Sequence, residues 1–108
     1  MGVVNRFQVW RVSLDPTQGH EIRKTRPCVV ISPDETNGVL RTVIVAPMTS
    51  GSFDAPTRVR VSFGGKSGRI VLDQIRTVDR GRLVECLGSL DRNTAQEVLR
   101  VLQSLFSE

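Results

Sequence analysis

The sequence predicts a mostly β chain of the α+β class: a small β-barrel or strongly curled antiparallel sheet with one C-terminal helix. Three observations predict it. Short β-branched runs recur from Phe7 to Leu87, and Gly or Pro turns bound most of them. The final segment changes period: Val98, Val101, Leu102, Leu105 and Phe106 fall on a helical stripe. A length of 108 residues suits one domain, over 1–108, better than two.

Each element follows from its local pattern. Phe7–Leu14 alternates, with Trp10, Val12 and Leu14 on one face and Arg11 and Ser13 on the other, which is strand period. Asp15-Pro16-Thr17-Gln18-Gly19 is turn chemistry. Pro27–Ile31 is a continuous apolar run between prolines, the pattern of a strand buried on both faces. Ser32–Gly38 reads as a loop and Val39–Ala46 as a strand closed by Pro47. Met48–Pro56, small and polar, reads as a loop. Thr57–Phe63 alternates again: Val59, Val61 and Phe63 face in, and Arg58, Arg60 and Ser62 face out. Gly64-Gly65 turns the chain, Arg69–Val78 returns as a strand, and Arg82–Leu87 adds a last short one. Asn93 with Gln96, or Asp91, caps the helix.

Composition narrows the classes. A hydrophobic fraction of 39% can build one core with a modest stability margin, so dimerisation is a natural supplement. The net charge of +4 and a pI near 10.0 suit a polyanionic partner, although such a surface is common among ordinary domains. Cys28 and Cys86 each sit in an apolar run and read as small buried hydrophobes. No apolar stretch is long enough to span a bilayer, and no secretory apolar region precedes the first strand. Met1-Gly2 opens a myristoylation motif, but Arg6 stands where Ser or Thr is needed. The expected location is the cytoplasm.

Several familiar chemistries are excluded. Gly65-Lys66-Ser67 resembles the end of a P-loop, yet Arg60 occupies the first glycine position and a strand follows. A single histidine and two separated cysteines supply no metal cluster, so no metal or cofactor is expected. Counting residues leaves Ser/Cys–His triad chemistry open, but no nucleophile elbow is present. What remains is cations, carboxylates and hydroxyls in loops and at strand ends. Arg26 stands directly before a buried strand, so its base is fixed while its head projects; a surface pairing with Glu21 or Glu35 is the plain alternative. His20 is a proton shuttle near neutral pH or a solvated loop residue. Asp73 lies in an apolar strand and must be paired, with Arg76 or Arg82, or functional. Thr49 and Ser50 offer hydroxyls at a strand end, or simply turn the chain.

Four motifs, in order along essentially the whole chain, resemble the MazF/PemK (Kid) family of toxin ribonucleases. They are Trp10-Arg11-Val12-Ser13-Leu14-Asp15-Pro16-Thr17 with Gly19-His20-Glu21; Thr25-Arg26-Pro27 before Val-Val-Ile-Ser-Pro; Ala46-Pro47-Met48-Thr49-Ser50; and Leu72-Asp73-Gln74-Ile75-Arg76-Thr77-Val78-Asp79. The resemblance implies the SH3-like barrel shared by CcdB and PemK toxins, working as a homodimer. It implies a sequence-specific endoribonuclease that cuts single-stranded mRNA without metal, the toxin of a toxin–antitoxin module. A small acidic antitoxin of the MazE/PemI kind would neutralise it. Arg26 and Thr49 map onto the family's catalytic arginine and threonine, and His20 and Asp73 onto residues of the PemK branch. That branch also uses an arginine two residues before the aspartate; here the position is Val71, and Arg69 shares its strand parity.

The chemistry suits these residue types. RNA carries its own nucleophile, the 2′-OH, so the protein needs a base, an acid and cations for the phosphorane. Arg26 would stabilise the phosphorane and assist the leaving oxygen, and Thr49 would hold the phosphate. Asp73 or Glu21 would serve as base or as the group that orients the base, with His20 an auxiliary contact. Ser50, Gln74, Arg76, Arg58, Arg60 and Arg69 would line the RNA path. A CcdB-like gyrase poison and a catalytically silent RNA- or protein-binding module on the same barrel are the competing readings.

Overall fold

The computed structural model describes residues 3–16, 18–22, 24–51 and 53–108. Met1, Gly2, Thr17, Arg23 and Ser52 lie outside the described residues. With them go the myristoylation motif's first two residues, part of the Asp15–Gly19 turn and one loop cation.

Seven strands form one curled antiparallel sheet in the order β4-β5-β3-β2-β1-β7, with β6 also pairing with β3. They are β1 (Gln8–Ser13), β2 (Thr25–Val30), β3 (Thr42–Thr49), β4 (Arg58–Phe63), β5 (Lys66–Val71), β6 (Arg76–Asp79) and β7 (Leu83–Ser89). Helix α1 (Asp34–Asn37) is one turn, and α2 (Arg92–Leu105) is the C-terminal helix. This is the mostly β, curled sheet with a terminal helix that the sequence predicts.

The sheet buries both faces. On one side Val9, Val29, Ile31, Met48, Val59, Val61 and Ile70 pack with Val98 and Val101 of α2. On the other, Trp10, Val12, Leu14, Cys28, Val30, Val45 and Val78 form a second cluster. Strand β2 alternates between them, Cys28 and Val30 to one and Val29 to the other, as its continuous apolar run requires. Each such side chain removed from water contributes about 1.5–3 kcal/mol.

The structure departs from the sequence reading at four places. Asp34–Asn37 is a helical turn inside the expected loop; buried Asn37 holds it, donating to the Ser32 carbonyl and accepting from the Ser32 hydroxyl. Strand β3 begins at Thr42, leaving Val39 and Leu40 exposed, and it runs through Pro47 to Thr49. Proline is tolerated because β3 changes partner there, from β6 at Val45 to β5 at Met48, so its missing N–H falls in a gap of that ladder. The expected strand 69–78 is broken by a 3-10 turn at Leu72–Gln74, which shifts the register along β3. Finally, Cys86 is exposed on β7 rather than buried. Of the two cap candidates, Asp91 caps α2, accepting from the Thr94 N–H at 2.7 Å.

Candidate functional site

Strands β2 and β3 pair at Val30–Val45, Val29–Ala46 and Cys28–Pro47. Continued by two residues, that register falls on Arg26 and Thr49, and there the strands part. The gap is a cleft of about 220 Å³ whose lining includes Arg26, Pro27, Thr49, Ser50, Lys66 and Gly68. Arg26 is exposed, while its backbone is fixed opposite Val12 in β1. Thr49 is half-buried, and its hydroxyl accepts from the Gly51 N–H at 3.4 Å. Gly68 lets β5 approach Thr49: a Cβ there would lie 2.5 Å from the Thr49 carbonyl oxygen. The cleft thus offers a guanidinium, an ammonium and the hydroxyls of Thr49, Ser50 and Ser67, all donors to an oxyanion.

A second cleft, of about 260 Å³, lies beside it. Pro47 forms part of its wall, together with Leu14, Glu21, Asp73, Gln74 and Arg76. Gln74 and Arg76 act here as fasteners for the β1–β2 loop. The Ile22 N–H donates to Gln74 Oε1 at 3.0 Å, and Arg76 Nη1 donates to the Leu14 carbonyl at 3.0 Å. The base of the loop is closed by Leu14 N–H to the Lys24 carbonyl and by Lys24 N–H to Asp15 Oδ1, both 3.0 Å. Glu21 faces this cleft and accepts from the Gln18 N–H at 2.6 Å. His20 is an exposed residue of the same loop and lines neither cleft.

Asp73 is paired neither with Arg76 nor with Arg82. Its carboxylate accepts two hydrogen bonds of 3.2 Å from Arg58 and one of 2.9 Å from the Thr57 hydroxyl. Arg58 above all, with Thr57 and a backbone N–H assisting, holds its pKa below the usual carboxylate range. Such a carboxylate is a weak proton acceptor. Arg58 itself is only 15% exposed and stacks over Phe53 at 4.7 Å, so it does not project as the alternation of β4 predicts. Arg60 and Arg69 converge on Asp54 of the β3–β4 loop.

Of the sequence candidates, the structure brings Arg26, Thr49 and Ser50 into one cleft and Glu21, Asp73, Gln74 and Arg76 into the other. The structure adds Gly68 and Asp54, and Lys66, which the sequence presents only in the excluded P-loop likeness. Gly68 carries no motif, and Asp54 lies in a stretch whose composition reads only as loop. Burial pushes the Cys28 thiol up to about 12, which removes it as a nucleophile. Among the described residues, no three His, Cys, Asp or Glu side chains gather as a metal-ligand set. No helix among the described residues is long and apolar enough to cross a membrane.

Comparison with known proteins adds a lineage to this geometry. The family model "PemK-like, MazF-like toxin of type II toxin-antitoxin system" matches residues 5–106. Endoribonuclease PemK of Escherichia coli is 36% identical over 110 aligned positions, covering 96% of this chain and 83% of that protein. The crystal structure of MazF from Deinococcus radiodurans superposes with a TM-score of 0.85 at 31% identity, covering 97% of each chain. A MazE–MazF structure from the same organism superposes with a TM-score of 0.80 at 27% identity, covering 99% of this chain and 98% of that one.

Proposed function

The chain belongs to the PemK-like, MazF-like toxins of type II toxin–antitoxin systems, and we propose that it cleaves single-stranded mRNA at specific sequences, without metal, by attack of the substrate's own 2′-OH. The coarser statement, an endoribonuclease toxin of a toxin–antitoxin module, follows from that membership. The observation that carries the finer one is the meeting of Arg26 and Thr49 in a single cleft of about 220 Å³.

In this mechanism the scissile phosphate enters the cleft and accepts from the Thr49 hydroxyl and the Arg26 guanidinium. A base takes the 2′ proton, and the 2′ oxygen bonds to phosphorus. The bond to the 5′ oxygen breaks, and that oxygen takes up a proton from water. The products are a 2′,3′-cyclic phosphate and a 5′-hydroxyl. Charge builds on the phosphorane, where Arg26 is most effective. Glu21 suits the base better than Asp73, because Asp73 is committed to Arg58. His20 is an auxiliary contact from the loop. Arg26 remains cationic throughout, so it donates a hydrogen bond to the leaving oxygen.

The working unit is a homodimer of one domain per chain, acting in the cytoplasm, and its partner is a small acidic antitoxin whose segment covers the cationic cleft. The D. radiodurans MazE–MazF structure supports the partner class. The test is incubation of the purified protein with a defined single-stranded RNA in EDTA. Cleavage with cyclic phosphate ends is the expected result. Intact RNA, or cleavage only on adding a divalent cation, would overturn it.

A further inference from the structure

Arg60 stands opposite Arg69 across β4 and β5, and Arg69 stands opposite Thr49 across β5 and β3. Register partners in an antiparallel sheet share a face, and adjacent strands lie about 4.8 Å apart. This rung therefore leads two guanidinium side chains toward the hydroxyl of the Arg26 cleft. Like charges directly opposite one another destabilise a sheet unless something neutralises them. Asp54 does so. Its Oδ2 accepts from Arg60 Nη2 at 2.7 Å, and its Oδ1 accepts from Arg69 Nε at 2.8 Å and lies 2.7 Å from Arg69 Nη2 in an ion pair. The hydrogen bond from Arg60, then that from Arg69, holds the Asp54 carboxyl below its ordinary pKa. Yet the carboxylate is 60% exposed, so the contact is open to competition from solvent ions.

We propose that Arg60 and Arg69 form a subsite for an RNA backbone phosphate next to the Arg26–Thr49 cleft, and that the Asp54 carboxylate occupies it as an internal stand-in until RNA displaces it. The inference rests on the RNA-cleaving reading above and extends it to a named residue outside that mechanism. A phosphodiester carries the same single charge as the carboxylate and presents two oxygens that accept from arginine forks. Exchanging one anion for the other keeps both arginines paired with an anion and leaves the net charge of the subsite unchanged, and no covalent bond changes. Displacement also releases Asp54's hold on the loop carrying Phe53, whose exposed ring is a stacking surface for a base beside that phosphate.

The probe is a short single-stranded oligoribonucleotide methylated at every 2′ oxygen, which cannot be cut by 2′-OH attack, with binding read by fluorescence anisotropy. Asp54→Asn is expected to bind about five- to tenfold tighter than wild type, the range for releasing two exposed ion pairs. Asp54→Glu, which keeps the carboxylate and controls for loop damage, stays near wild type. In an Arg60→Gln, Arg69→Gln background, Asp54→Asn gives no gain. Unchanged affinity in Asp54→Asn overturns the inference. So does an equal gain in the double-glutamine background, which would be a general charge effect. If wild type cleaves RNA while either result holds, only the inference fails. If wild type neither binds the probe nor cleaves RNA, the RNA reading fails with it.

Discussion

Arg58 meets Asp73 through two hydrogen bonds of 3.2 Å, Nε to Oδ1 and Nη2 to Oδ2, and so ties β4 to the 3-10 turn that ends β5. The strand register explains the partnership: Arg58 stands opposite Val71, two residues before Asp73. The pair fixes the turn whose next residue, Gln74, holds the β1–β2 loop.

The pair makes a pH-dependent contribution of known sign. The folded-state pKa of Asp73 is lowered, chiefly by Arg58. The stabilisation is therefore complete above the unfolded carboxylate value and is lost as pH falls through the folded one, below about pH 4. Asp73→Asn should cost about 1 kcal/mol at neutral pH, a figure kept small because the side chain is 35% exposed. Urea unfolding checks it: the gap between wild type and variant should be present near pH 7 and shrink near pH 3. A gap independent of pH would assign the effect to packing. In cleavage assays the same variant should keep the wild-type pH–rate profile, because Glu21 is the proposed base.

Arg26→Ala should lower cleavage by about 100- to 1000-fold, the cost of removing one donor to a developing oxyanion. Arg26 is exposed at the entrance of β2, so thermal stability should change little. The readouts are single-turnover cleavage and the melting temperature. Near-wild-type cleavage would remove Arg26 from the mechanism.

How far the sequence reaches is clearest at particular residues. The alternation of Trp10, Val12 and Leu14 and the two-sided burial of Cys28–Val30 were legible because side-chain period alone dictates them. The helical stripe was legible through Val101, but Phe106 is 71% exposed, since its burial depends on what the helix end meets. Pro47 misled because a proline ends a strand only where the ladder needs its N–H, and the partner change at β3 is a tertiary fact. Within the site, Arg26 and Thr49 were legible from motif and strand-end position. The Arg58–Asp73 and Asp54–Arg69 pairings were not, because each joins a strand arginine to a carboxylate 15 residues away in a loop or turn, a proximity only the fold creates.

Gln74→Ala should act through the loop it holds. It leaves the Ile22 N–H without its acceptor, which costs about 1 kcal/mol. Its larger effect should be on cleavage, because the loop carries His20 and Glu21. Hydrogen exchange at Ile22 should accelerate, and kcat should fall more than RNA affinity. Gln74→Glu, which keeps an acceptor, should restore slow exchange. An alanine variant with unchanged exchange at Ile22 would show that the loop is held without Gln74.

Gly68→Ala tests how closely the cleft wall is built. The added methyl would lie 2.5 Å from the Thr49 carbonyl oxygen and 3.2 Å from its carbonyl carbon, both backbone atoms that cannot swing aside. Either β5 or β3 must shift, and overpacking of this kind costs about 1–3 kcal/mol. The shift falls on Thr49 itself, whose hydroxyl lines the cleft with Arg26. A displacement of reacting groups by about 1 Å can cost roughly 100-fold in rate. The expected variant is folded, has a lower urea midpoint and is severely impaired in cleavage. Gly38→Ala is the matched control, because a Cβ there meets only the Asp34 carbonyl oxygen at an ordinary 3.6 Å. If Gly68→Ala cleaves RNA as well as Gly38→Ala does, the position of Thr49 does not limit the reaction.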